Sequence, residues 1–150
     1  MNILLFSDSH GDTDPMLRLI RLHKPDTVLH LGDHDRDLRA LQEQFPDLRC
    51  LGVRGNCDGP GSPEQLLLEE AGVRMLLTHG HRQQVKMSLL RLMYLGLEEG
   101  VQLCLFGHTH RPHLEEVQGL CLLNPGAVAA GSYALLTLEN GSFRAVHHRV

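Results

Sequence analysis

The sequence predicts an α/β fold in which two packed mixed β-sheets are flanked by helices. Three observations predict it. Short apolar runs alternate with segments of helical apolar spacing through roughly the first two thirds of the chain. Each of these runs ends in a turn rich in Asp, Asn, His and Gly. The last third then changes to short strand-like runs joined by tight turns.

The elements follow in order. Apolar runs at 2–6 and 27–31 read as strands, and between them 14–23 carries Met16, Leu17, Leu19 and Ile20 at helical spacing, with Pro15 in the first turn. A second helix is predicted over 36–45, with Leu38, Leu41 and Phe45 on one face. It is followed by a strand at 49–53 that runs into Gly55-Asn56. Strands are expected at 65–69 and 73–78, then a helix over 83–97 carrying Val85, Leu89, Leu92, Met93 and Leu97, then a strand at 101–106. Antiparallel strands at 113–117, 119–123, 132–138 and 142–148 complete the chain, the last two joined at Asn140-Gly141. Gly59-Pro60-Gly61-Ser62-Pro63 is too short for a linker, so 1–150 reads as one domain.

Bulk properties exclude several function classes. The chain is 42% hydrophobic and 21% charged, a globular composition. With a formal charge of -4 and 14 scattered Lys and Arg residues, it has no basic stripe to neutralise a row of phosphates, so long nucleic acid is not an expected partner. No apolar run approaches the roughly 20 residues needed to cross a bilayer, and no membrane role is expected. Cys50, Cys57, Cys104 and Cys121 lie far apart without a C-x-x-C pair, and the N-terminus has no signal-peptide pattern. Free thiols in a reducing cytoplasm are the expectation; a homo-oligomer is left open.

His is abundant, at 11 residues, and its placement carries the chemistry. Asp8 and His10 lie two apart just after the first strand; in extended backbone both would project to one side and share a cation. Asp33 follows the second strand in Leu31-Gly32-Asp33, at the edge where open α/β sheets bind ligands. Asn56 follows the third in Arg54-Gly55-Asn56-Cys57-Asp58, and its amide oxygen can ligate. His79 ends the strand at 73–78, and His108 and His110 end the strand at 101–106. Each alone reads more readily as a turn or a solvated histidine. Five strand ends delivering Asp, His, Asp, Asn, His, His and His do not read as five independent turns.

The order D-x-H, G-D, G-N-x-D, H-G and G-H-x-H resembles the calcineurin-like metallophosphoesterase superfamily, and the short chain with Gly-Asn-Cys-Asp resembles its small bacterial and archaeal phosphodiesterase branch. The resemblance covers residues 3 to about 126. It implies a four-layer α/β-sandwich with the site at the C-terminal ends of the strands. It also implies one metal held by Asp8, His10, Asp33 and His110 and a second held by Asp33, Asn56, His79 and His108, with Asp33 bridging. A pair of divalent ions roughly 3.5–4 Å apart activates a bridging water and neutralises phosphoryl charge. The donor set suits borderline metals, with Mn the first expectation and Ni, Zn, Fe or Co the others.

Many members that cleave monoesters carry His directly after the Asn, as an acid for the leaving group, and this chain has Cys57 there. A neutral thiol is a poor acid, so a small phosphodiester is the expected substrate. Cys57 reads equally as a small buried filler, with His34 as an alternative acid. Asp58 and Asp35 are candidates to fix imidazole tautomers or to cap a helix. His81 and Arg111 fall near the site without an assigned role. Asn124, in Asn124-Pro125-Gly126, is either a substrate contact or part of a turn. His147-His148 reads as surface. The competing class is a non-catalytic protein-interaction scaffold, as in the retromer subunit that resembles these phosphoesterases.

Overall fold

A computed structural model describes residues 1–150. Its strands are β1 (Asn2–Phe6), β2 (Thr27–His30), β3 (Arg49–Gly52), β4 (Gln65–Glu70), β5 (Val73–Thr78), β6 (Leu103–Leu105), β7 (Pro112–Val117), β8 (Leu120–Pro125), β9 (Ser132–Glu139) and β10 (Ser142–Arg149). The helices are α1 (Asp14–His23), α2 (Asp35–Gln44) and α3 (Leu90–Glu99).

Two five-stranded mixed sheets form, in the orders β10-β9-β1-β2-β3 and β4-β5-β6-β8-β7. In the first, β1, β2 and β3 run parallel while β9 pairs antiparallel with β1. In the second, β5, β6 and β8 run parallel. Side-chain alternation assigns the layers. Ile3 and Leu5 of β1 pack with Met75, Leu77, Leu103 and Leu105 between the sheets. Leu4 and Phe6 face the other way, onto Met16, Leu19 and Ile20 of α1 and Leu38 and Leu41 of α2. Leu92 of α3 covers the outer face of the second sheet with Leu76, Cys104 and Leu122. Helix, sheet, sheet, helix is the four-layer sandwich expected.

Two expectations change. The helix expected over 83–97 begins only at Leu90, because Gln84 has φ +54°, a left-handed backbone that no α-helix continues, and 81–87 is a series of turns. Val85 is buried there, but its N–H bonds back to the Gly80 carbonyl at 3.3 Å. The run at 119–123 is not wholly antiparallel: β8 is antiparallel to β7 but parallel to β6. Its six residues are all buried, as befits a strand enclosed on both faces. Asn140 and Gly141 both have positive φ, the conformation of the tight hairpin turn expected.

The parallel strands matter for the site. β1, β2 and β3 end at one edge of the first sheet, and β5 and β6 end at the facing edge of the second. Within each edge the turns stay paired beyond the strands, Asp8 N–H donating to the Gly32 carbonyl at 2.9 Å and Gly107 N–H to the His79 carbonyl at 3.0 Å, and His108 N–H crosses between the edges to Asp8 Oδ2 at 3.1 Å.

Candidate metal centre

Asp8 stands at the middle of the cluster with its side chain fully buried. One carboxylate oxygen, Oδ2, accepts from Ser7 Oγ at 2.5 Å and from the His108 N–H at 3.1 Å. The other, Oδ1, is buried and accepts no hydrogen bond. Three imidazole Nε2 atoms surround it: His110 at 3.2 Å, His79 at 3.8 Å and His10 at 3.9 Å. A buried carboxylate oxygen without a donor is costly unless a cation completes it. Asp8, His10, Asp33 and His110 offer donor atoms all within 4.8 Å of one another, the same four residues the resemblance groups around one metal.

Asp33 links this group to the next. Its Oδ2 lies 3.8 Å from His10 Nε2 and its Oδ1 lies 3.5 Å from His79 Nε2. Burial favours the neutral acid, but the His79 imidazole outweighs it and holds the Asp33 carboxyl well below the usual carboxylate range. His79 is itself oriented by the Leu31 carbonyl, 2.7 Å from Nδ1, so Nε2 faces the site. His108 Nδ1 approaches that Nε2 at 3.2 Å. Burial and the neighbouring His79 push His108 down to about 4, so it stays a neutral donor at neutral pH. Asn56 lies on the exposed turn from Gly55 to Asp58, next to Cys57, whose N–H donates to Asp33 Oδ1 at 3.0 Å. The side chains of Asp8, His10, Asp33, His79, His108 and His110 are thus brought together, and Asn56 stands at their rim.

Backbone geometry sets these residues apart. Asp8, His10, Asp33, His34, His108 and His110 all have φ between +49° and +76°. Asp8 and His10 therefore converge through left-handed turns, not through the extended backbone expected from their spacing. Such a conformation costs a residue with a Cβ roughly 1–2 kcal/mol, and its concentration at one site marks a functional constraint. Two glycines make room: a Cβ on Gly55 would collide with Asp33, and one on Gly107 with Ser7 and Asp8.

The supporting residues differ from those anticipated. Asp58 meets no imidazole; its carboxylate accepts the N–H groups of His34 and Asp35 at 2.8 Å, of Gly55 at 2.8 Å and of Asp33 at 3.1 Å, fixing the Asp33 turn. Asp35 is held by Ser62 Oγ from the 59–63 loop. Asn124 is fully buried and spends its amide within the protein, donating to the Gly107 carbonyl at 3.1 Å and Thr109 Oγ1 at 3.0 Å while accepting from Gly126 N–H at 2.8 Å. It positions the His108–His110 loop, not substrate. His147 braces it from behind, bonding the Asn124 carbonyl at 2.6 Å.

Cys57 is exposed, so the buried-filler reading does not hold. Partial burial, then the Asp33 charge, push its thiol up, keeping it protonated. His34 caps the start of α2, with its ring 5.6 Å from that of His10 and Nδ1 3.8 Å from Asp37. His81 sits behind the cluster, its ring 5.6 Å from that of His79 and 6.2 Å from that of His108.

A second network escaped the sequence reading. Ser9 Oγ donates to Asp37 at 2.7 Å and accepts from His30 Nε2 at 2.8 Å, and Gly11 N–H donates to the same carboxylate at 2.8 Å. His30 Nδ1 in turn accepts from Gly32 N–H at 3.2 Å, so His30 is neutral with its proton on Nε2. Burial, which lowers its affinity for a second proton, agrees. The network ties the Asp8–Gly11 turn to the Gly32–Asp33 turn. Ser9 beside Asp8, and a His ending an apolar strand, were the available signals.

The calcineurin-like phosphoesterase superfamily domain matches residues 1–141. The chain belongs to that superfamily. A probable metallophosphoesterase of Bacillus subtilis, YsnB, is 35% identical over 150 residues, covering 93% of this chain and 86% of its own length. A crystal structure from Streptococcus pneumoniae, described as a predicted phosphoesterase, superimposes with a TM-score of 0.83 at 27% identity, covering 99% of this chain and 88% of the other. Vps29 of Entamoeba histolytica, solved in complex with Zn²⁺, shares the fold with a TM-score of 0.78 at 22% identity, covering 99% of each chain. No helix is long and apolar enough to cross a membrane.

Proposed function

We propose that this protein is a two-metal phosphodiesterase that hydrolyses a small phosphodiester. One observation carries the reading: Asp8 Oδ1, buried and without a hydrogen-bond donor, faces three imidazole nitrogens at 3.2–3.9 Å. A metal cation satisfies that oxygen and those lone pairs together. Asp8, His10, Asp33 and His110 would hold one ion, and Asp33, Asn56, His79 and His108 the other, with Mn our assignment among the borderline metals this donor set accepts. When bound, the pair supplies an activated water and neutralises charge on the phosphoryl oxygens.

The chain's own residues then shape the outcome. Hydrolysis breaks one P–O ester bond, the water oxygen joins phosphorus, and the departing oxygen leaves as alkoxide or takes a proton. His108 presents a neutral donor nitrogen, the Leu31 carbonyl turns His79 Nε2 toward the site, and the Asp58 carboxylate keeps the Asp33 turn rigid. Cys57, held protonated and weakly acidic, gives the departing oxygen little help. That favours diesters with good leaving groups over monoesters. A family likeness to Vps29 keeps the scaffold reading in view; the intact set of donors favours catalysis. The four unpaired cysteines fit a reducing cytoplasmic setting.

The test is to strip metal, reconstitute with Mn, Ni or Zn, and compare bis(p-nitrophenyl) phosphate with p-nitrophenyl phosphate. Metal-dependent turnover that favours the diester, lost in Asn56→Ala and His108→Ala, is expected. Absence of turnover with every metal rejects the enzyme in favour of the scaffold.

A further inference from the structure

A groove of about 470 Å³ opens beside the His108 side of the centre. Its floor is apolar, formed by Val85, Leu89 and Phe106, and its rim carries Lys86, Arg111 and the Thr109 hydroxyl. Three connections place it against the proposed metals. Thr109 lies between His108 and His110 in the chain. Val85 packs on Gly80, the residue after His79, so closely that a Cβ on Gly80 would come within 2.8 Å of it. Lys86 follows Val85 directly, on the turn that packs against Gly80. The loop holding Thr109 and Arg111 is fixed, since Thr109 Oγ1 accepts from Asn124 Nδ2 at 3.0 Å and from the Arg111 N–H at 3.2 Å.

The charges of this groove are unbalanced. No carboxylate lines it, and neither Lys86 nor Arg111 has an ion-pair partner, in a chain whose net charge is -4. His113, also on its wall, is the one basic side chain there with a carboxylate, bonded to Glu115 at 2.9 Å. The smaller cleft on the opposite flank, about 200 Å³, differs: Arg36 and Arg39 there share their walls with Asp35 and Asp58. Two free cations over an apolar floor match a ligand with a flat apolar body and an oxyanion of its own.

We propose that this groove binds one ester arm of the substrate, and that the arm joins an apolar or aromatic ring to a second oxyanion, the chemistry of a nucleoside monophosphate. The inference rests on the phosphodiesterase reading and narrows it to a substrate class. Lys86 and Arg111 grip the oxyanion, the floor takes the ring, and the scissile phosphorus is left toward His108 and Asp8. The volume falls within the range of sites for small organic ligands.

Two measurements on the Mn-loaded protein test it. The first compares kcat/KM for bis(p-nitrophenyl) phosphate with that for 4-carboxyphenyl p-nitrophenyl phosphate, whose second arm carries the added oxyanion. The carboxylated ester is expected to be preferred by about tenfold or more, mainly through KM, as one charge-assisted contact gives. Lys86→Met and Arg111→Met should each reduce that preference, and Lys86→Arg should restore it. The second measures calorimetric affinity for adenosine 5′-monophosphate and for inorganic phosphate. Lys86→Met and Arg111→Met should weaken the nucleotide about tenfold and the phosphate less.

If the diester without the added carboxylate is hydrolysed as well as the carboxylated one, the groove inference fails and the phosphodiesterase stands. If neither ester turns over, the phosphodiesterase reading fails, and calorimetry alone decides the groove. Equal weakening of nucleotide and phosphate, or no weakening of either, overturns it.

Discussion

His79 points its Nδ1 at the Leu31 carbonyl at 2.7 Å, which turns the opposite ring nitrogen onto Asp33 Oδ1, 3.5 Å away. A backbone carbonyl at the end of one sheet thus fixes the tautomer of a donor from the other. Burial lowers the affinity of His79 for a proton, yet the hydrogen bond and charge of Asp33 and the charge of Asp8 prevail and raise it. Without a cation, a proton on Nε2 balances the two carboxylates.

It follows that metal uptake displaces that proton. The sign is fixed by the two shifts: His79 is raised above its ordinary value and must deprotonate to ligate, whereas His108, pushed down to about 4, is already neutral. Calorimetry in buffers of different ionisation enthalpy should show proton release near pH 6.5, and metal affinity should fall as pH drops from 7.5 to about 5.5. Proton uptake on binding, or affinity that is flat across this window, would sink the account.

Asp58 should matter for stability more than its place outside the donor set suggests. Four backbone N–H groups lose their acceptor in Asp58→Ala, and a loss of about 2–4 kcal/mol is expected in chemical denaturation of the metal-free protein. A change below about 0.5 kcal/mol contradicts the clamp.

His10 allows backbone strain to be separated from ligation. Its φ of +49° suits glycine, and its ring makes no hydrogen bond, only approaches of 3.9 Å to Asp8 and 3.8 Å to Asp33. His10→Gly and His10→Ala both remove the donor, but Gly relieves the left-handed backbone. The glycine variant should be more stable than the alanine variant by about 1 kcal/mol in EDTA, with metal affinity reduced equally in both. Equal stability of the two variants would mean that the turn carries no strain.

Cys57 tests the leaving-group argument directly. Cys57→His should raise hydrolysis of an alkyl monoester with a poor leaving group, glycerol 2-phosphate, by about tenfold or more, within the range of general acid assistance, and leave bis(p-nitrophenyl) phosphate within about threefold. Parallel changes on both substrates would show that position 57 has no part in proton donation.

Metal removal should be visible without any substrate. A cation at about 100 times its Kd adds roughly 2.7 kcal/mol to the folded state, and a chain of this size translates that into a Tm lower by about 5–10 °C in EDTA. The fall should be absent in Asp8→Asn, whose Oδ1 no longer carries the full charge.

Much of this was legible in the sequence because each donor follows a strand, and strand ends are where hydrophobic patterning stops and local motifs begin. Asp8, Asp33 and His79 come after runs whose apolar character marks them clearly. The α3 boundary was not legible, because Val85 and Leu89 keep helical spacing while Gln84 adopts a left-handed turn that no side chain announces. Nor was the Ser9–His30–Asp37 network, whose members lie 21 and 28 residues from Ser9 and meet only after β1 and β2 pair. Asn124 was visible as a turn residue, but its two bonds across to the His108 loop depend on β8 lying beside β6.

The order of strands in the first sheet also bears on how the protein is made. β1, which carries Asp8 at its end, is flanked by β2 on one side and by β9 on the other, and the Met1 amino group bonds the Leu138 carbonyl at 2.9 Å. On the ribosome, Ile3 and Leu5 therefore wait beside an open edge until Ala134 and Leu136 emerge to pair with them. Residues of β1 leave the ribosome long before those of β9, so they are among the last to gain their final neighbours, and the cluster around Asp8 matures only once β9 has been translated.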